Sequence, residues 1–205
     1  LYDYTKRNSS RKLVEVRTLG SGAIHVNGRN LDQWNGILPR LLFFYLADRG
    51  MAKRDEIFTT FWSNLSTQDA TNVFHVTKRK ITSKLNEPFT EFEAGYYHIS
   101  PNIDLRYDVI LFETAIENST TSNNNDAIRL LENAINLYRA PFLSTEHDTD
   151  HNWIIQRRDT LHKRLGEAFT MLGDHKLRLD DNEQALTCYL KALRILTYHE
   201  DIVIK

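Results

Sequence analysis

Asn72, His75, Val76, Arg79 and Lys80 stand at spacings of three, one, three and one, so a helix would gather them on one side. The residue types fit one kind of chemistry. An arginine can fork to guanine O6 and N7, an asparagine can do the same to adenine, and a lysine neutralises phosphate. Laid on a wheel at about 100° per residue, Phe74, Thr77, Ile81 and Leu85 fall together and face a core. Asn72, Val76, Arg79 and Ser83 fall opposite, flanked by His75 and Lys80. A solvated charged helix face explains such a run equally well by periodicity alone. The groove-reading alternative depends on the elements around it.

Those elements suit the task. Ser66 can cap the helix, with Asp69 three residues on as its reciprocal partner. After Leu85 a short turn leads to two brief β segments around Glu93-Ala94-Gly95-Tyr96-Tyr97. Upstream, Leu13 to Arg17 alternates as a half-buried strand does, and Ala23 to Val26 follows. Asn27-Gly28 is a hairpin turn with Arg29 to Asp32 returning, because both turn residues tolerate positive φ. Leu41, Leu42, Tyr45 and Leu46 repeat at helical spacing between Pro39 and Gly50. A second helix over about 53–62 carries Ile57, Phe58, Phe61 and Trp62 as its apolar stripe, and it opens on Lys53 and Arg54, within reach of phosphates. Strands, three helices and a hairpin, with the third helix basic, are the order of a winged helix-turn-helix.

The chain changes character after Pro101. Residues 108–118 and 126–138 read as amphipathic helices joined by a polar loop. Ala127-x-x-x-Leu131-x-x-Ala134 recurs as Ala185-x-x-x-Tyr189-x-x-Ala192, with Leu172-Gly173 upstream of the second copy. Small residues at these spacings let a neighbouring helix approach closely, as in tetratricopeptide pairing. The copies stand at 127 and 185, too far apart for the regular repeat of about 34 residues. An ordinary helical bundle makes similar demands on the core.

Charge divides along the same line. Residues 1–100 carry 14 basic and 10 acidic side chains, residues 101–205 carry 12 and 17. One cysteine excludes an intrachain disulfide and suits a reducing cytoplasm. No stretch approaches the ~18 apolar residues of a membrane span. Glu146 to His151 gathers potential metal ligands, but so dense a local run reads as a solvated loop, and no metal is expected. No phosphate-cradling glycine loop or nucleophile context stands out, so neither a cofactor nor an enzyme activity is expected. Cys188, Trp34, Trp62 and Trp153 read as core residues. A chain that opens on Leu1 also reads as part of a longer protein.

Phe74 to Leu85 resembles the recognition helix of OmpR-type winged-helix proteins, and more closely that of the antibiotic regulatory protein (SARP) family. Leu19-Gly20 with Val26-Asn27-Gly28 resembles the family's opening hairpin. Arg54-Asp55-Glu56-Ile57 through Phe61-Trp62 resembles its second helix, and Gly95-Tyr96 its wing. Leu137 to Leu143 and the acidic loop before Trp153 resemble the link between helix pairs in its second domain. The resemblance implies an OmpR-type winged helix over 13–100 after an arm at 1–12. Over 104–205 it implies a bacterial transcriptional activator domain of tetratricopeptide type. The expected function is sequence-specific binding of double-stranded DNA in bacterial transcription regulation. Asn72, His75, Val76 and Arg79 would lie nearest the bases, and Lys80, Lys53 and Arg54 on phosphates. The second domain would hold a homodimer partner, RNA polymerase or a sensor domain.

Three features depart from the family. Lys78 stands where it usually has a core leucine, so the helix is turned or the lysine stem snorkels. Glu91 and Glu93 make the wing acidic, and Lys176 and Asp180 replace a tyrosine and a glycine. The alternatives are a protein-interaction scaffold whose winged helix no longer reads DNA, and a ligand-sensing helical domain that controls DNA binding.

Overall fold

The computed structural model describes residues 11–146 and 152–203, the side chains of 198–203 excepted. The expected arm, but for Arg11 and Lys12, lies outside the described residues, as does the acidic run from His147 to His151. The chain divides into two compact units. The first holds Leu1–Val16 and Ala23–Tyr107, the second Arg17–Gly22 and Asp108–Lys205.

In the first unit, strand β1 (Lys12–Arg17) buries Val14 and Val16 by simple alternation. Strand β2 (Ala23–Val26) turns through Asn27 (φ 50°) and Gly28 (φ 78°) into the two-residue β3 (Arg29–Asn30), pairing Val26 with Arg29. Two successive positive φ values make the primed turn whose twist matches its strands. Helix α1 (Ile37–Arg49) is apolar on every side, with Leu41 through Ala47 all buried, beyond the one stripe its sequence suggested. Such a helix belongs at the centre of its unit. Gly50 ends it at φ 64°, its N–H donating to the Leu46 carbonyl at 3.0 Å.

Strand β4 (Met51–Lys53), helix α2 (Arg54–Trp62) and helix α3 (Thr67–Leu85) follow, then β5 (Thr90–Glu93), β6 (Tyr96–Ile99) and β7 (Ile103–Tyr107). One sheet has the order β3-β2-β1-β7, the other β4-β6-β5. β7 runs parallel to β1, with Lys12 opposite Ile103 and Val16 opposite Tyr107. Two findings differ from expectation here: β4 and β7 are extra strands, and Lys12 opens β1 instead of ending an arm.

The second unit is helical: α4 (Asp108–Ser119), α5 (Asn124–Leu137), α6 (Asn152–Leu177) and α7 (Asn182–Val203). Ala127, Leu131 and Ala134 are fully buried on α5, and Ala185 and Ala192 are buried on α7. The small residues act as their spacing suggested. A Cβ at Gly173 of α6 would lie 2.7 Å from Cε1 of Tyr189 on α7, so the glycine sets how closely these helices pack. Asp108, 5% exposed, organises the start of α4. Its carboxylate accepts the N–H groups of Thr18 (2.8 Å) and Leu19 (3.0 Å), the Thr18 hydroxyl (3.3 Å) and Arg139 (3.2 Å). Burial pushes the carboxyl above the usual aspartate range, and these donors oppose that shift. Arg158 donates to the carbonyls of Phe142 and Glu146 and holds the link between α5 and α6.

Candidate nucleic-acid interface

The candidate interface begins at Ser66. Its hydroxyl oxygen accepts the Asp69 N–H at 3.1 Å and its hydroxyl donates to the Asp69 carboxylate at 2.7 Å. One orphan donor of the first turn is thereby satisfied, and a carboxylate sits at the positive end of the helix dipole. At the far end Asn86 adopts a left-handed conformation, φ 49°, with its N–H on the Thr82 carbonyl. Lys12 then donates from Nζ to the carbonyls of Leu85 (2.6 Å) and Asn86 (2.9 Å). A cation at the negative end of α3 completes its capping.

Between these caps the wheel holds. Ala70, Phe74, Thr77, Ile81 and Leu85 are buried. The buried Thr77 hydroxyl donates to the Val73 carbonyl at 2.8 Å, so the core face carries no orphan hydroxyl there. Phe74 sits in an aromatic nest of Phe58, Trp62 and Tyr97, with ring centroids 5.9, 6.1 and 4.8 Å away. These contacts fix the rotation of α3 about its axis. They leave Asn72, His75, Val76, Arg79, Lys80 and Ser83 on the exposed side, Val76 at 48%. Among the described residues no carboxylate pairs with Arg79 or Lys80.

Lys78 resolves in favour of the snorkelling stem. It is half-buried, with Nζ 5.0 Å from the centroid of Tyr97, while the helix keeps its aromatic anchor. Burial lowers its pKa and Glu91 opposes the change. Lys78 therefore closes the seam between α3 and the wing, where a leucine would have supplied only bulk.

The wing is the β5–β6 hairpin, turning through Ala94 (φ 50°) and Gly95 (φ 89°) with Glu93 opposite Tyr96. Glu91, Phe92 and Glu93 are exposed, Phe92 at 57%, and Phe92 leans on Tyr97 at 4.8 Å. The Ser100 hydroxyl donates to Glu91 at 2.9 Å. Glu93 is left at the hairpin end as an exposed negative charge.

Lys53 and Arg54 are both exposed at the start of α2. The Lys53 N–H donates to the Glu56 carboxylate at 2.9 Å, and the Lys53 ammonium lies 5.5 Å from the ring of Tyr96, next to the wing's turn. Arg54 lies over Phe58 at 5.9 Å and 3.6 Å from Asp55. They are placed by α2 and β4, so the seven proposed residues form two groups within one unit. Five lie on α3, and two lie where α2 starts. Sequence reasoning passed over Lys12 and Tyr97, which position α3 and its wing. Neither gives a local signal, because their partners are distant in the chain.

Among the described residues there is no cluster of three or more potential metal ligands, and no helix is long and apolar enough to cross a membrane. Cys188, Trp62 and Trp153 are buried and Trp34 is half-buried.

Comparison with known proteins places the second unit. Residues 107–204 match the family model described as the bacterial transcriptional activator domain. The search of curated proteins found no match. Among solved structures, Mycobacterium tuberculosis EmbR in complex with a low affinity phosphopeptide superposes with a TM-score of 0.64 at 14% identity. The match covers 93% of this chain and 57% of that one, and at this identity the likeness is one of fold. Residues 107–204 thus match the bacterial transcriptional activator domain, and the whole chain, a winged helix followed by a helical unit, is similar in fold to EmbR.

Proposed function

We propose that the first unit reads duplex DNA with α3, as the output part of a bacterial transcription regulator. One observation carries the reading. A helix anchored by Phe74 and capped at both ends turns a polar face outward, and Arg79 and Lys80 on it meet no described carboxylate. In this reading α3 enters the major groove, with Asn72, His75, Val76 and Arg79 nearest the base edges. Lys80, Lys53 and Arg54 bind phosphates, which fix position and not sequence. The wing stands apart from the phosphates because Glu93 would repel them. The protein works where the bacterial chromosome lies, in the cytoplasm.

The second unit would then hold a partner: RNA polymerase, a sensor domain of a longer protein, or another protomer. EmbR holds a phosphopeptide. A phosphorylated input to the longer protein is the corresponding proposal here.

A second reading has its own support. The exposed Glu91-Phe92-Glu93 edge suits a protein partner better than DNA, which favours a scaffold with a silent winged helix. Selection from a random duplex pool followed by anisotropy titration separates the two. A reader yields a preferred site and a steep salt dependence. A scaffold yields equal weak binding to every duplex.

A further inference from the structure

Val76 is out of keeping with the fold around it. It lies in the middle of α3, 48% exposed, and its neighbours on that face, Asn72, His75, Arg79 and Lys80, are all exposed and polar. A β-branched residue is a weak helix former, and an exposed one buries little apolar surface, so alanine would serve this helix better. Nor does one valine among polar side chains make an apolar patch for a protein partner. What the valine supplies is a pair of methyl groups held outward in one strongly preferred χ1 rotamer. A contact made there loses little side-chain entropy.

The surroundings of Val76 say what it would touch. Asn72, His75, Val76 and Arg79 stand at i, i+3, i+4 and i+7, a spacing by which a helix in the major groove presents side chains to base edges. From Asn72 to Arg79 the helix rises about 10 Å, or about three base-pair steps of ~3.4 Å. Within that span the groove offers Val76 one methyl group, that on C5 of thymine. Opposite a purely polar base edge, the valine would cover a donor or acceptor without replacing the water bonded to it, which costs more than the contact returns. The same matching gives Asn72 the N6 and N7 of adenine, and Arg79 the O6 and N7 of guanine.

We propose that Val76 reads the C5-methyl of a thymine that lies between an adenine read by Asn72 and a guanine read by Arg79. The three bases fall within about four successive base pairs, each on either strand. Their order follows the order of the side chains along α3. This assignment rests on the reading of duplex DNA by α3 and adds to it the composition of the site. It also gives the valine a task that neither the core of the unit nor a protein partner requires of it.

Base analogues that each alter one groove-facing group test it. In a duplex selected from a random pool by the 205-residue chain, each thymine is replaced in turn by deoxyuridine, each guanine by 7-deazaguanine and each adenine by 7-deazaadenine, and Kd is read by anisotropy. At one thymine, loss of the methyl should weaken binding of the wild-type chain by about fourfold, while Val76→Ala should bind the thymine and deoxyuridine duplexes equally. One guanine should lose its analogue effect in Arg79→Ala and one adenine should lose it in Asn72→Ala, with the thymine between them. A selected site in which no thymine methyl matters overturns the assignment and leaves DNA reading by α3 standing. So does a methyl that matters as much to Val76→Ala, or a thymine that lies outside the other two bases. A chain that selects no site overturns both.

Discussion

Arg79 and Lys80 are neighbours on α3 with different proposed tasks, and the difference is measurable. Arg79→Ala should reduce discrimination between the preferred duplex and a scrambled one by about 1–3 kcal/mol, read as the ratio of the two Kd values. Lys80→Ala should weaken both duplexes alike and lower the salt slope by about 0.9. Asp108 belongs to folding. Asp108→Ala leaves the buried N–H groups of Thr18 and Leu19 without their acceptor, and urea unfolding should show a loss of about 3 kcal/mol. The exposed placement of Arg79 and Asn72 was legible in the sequence because a helix wheel needs only local spacing. Those of Asp108 and Lys12 were not: their partners are Thr18 and Leu19 in one case, Leu85 and Asn86 in the other. Lys78 fell between, since the sequence marked it as out of place and only Tyr97 shows how it is accommodated.

At the scale of elements, the capped helix and both glycine-containing hairpin turns could be read directly, because caps and positive-φ turns are written in two to four residues. The extra strands could not be read in the same way. Met51–Lys53 is a strand of three residues lying between a helix stop and a helix start. Ile103-x-Leu105-x-Tyr107 does alternate, yet it becomes a strand by pairing with β1, far away in the chain. The wing follows expectation in form and in its acidic charge. Glu93→Lys removes the charge that holds the wing off the phosphates, so it should raise duplex affinity and steepen its salt dependence, read by anisotropy titration over a salt series. The close packing of α6 on α7 can be probed at Gly173. An added methyl must displace the Tyr189 ring, at about 1–3 kcal/mol, while alanine regains up to about 1 kcal/mol of helix propensity. Gly173→Ala should therefore lower stability by about 1 kcal/mol, seen as a lower Tm.

Over the whole molecule, the basic and acidic halves of the sequence correspond roughly to the two units. With that split, a net charge of −1 does not oppose the proposed DNA-reading surface: affinity for phosphate depends on the local field and not on the total. The match of residues 107–204 to the bacterial transcriptional activator domain supports a place in transcription regulation, and in the proposed reading the first unit would address that role to a site. The most direct measurement is anisotropy titration of the selected duplex over a salt series, with the wild-type chain and Arg79→Ala side by side. With Lys53, Arg54 and Lys80 on phosphates, the log–log slope should be about −2.7 or steeper, and Arg79→Ala should erase most of the preference for the selected site. A shallow slope with equal binding to all duplexes, unchanged by Arg79→Ala, would contradict the claim that the outer face of α3 reads DNA.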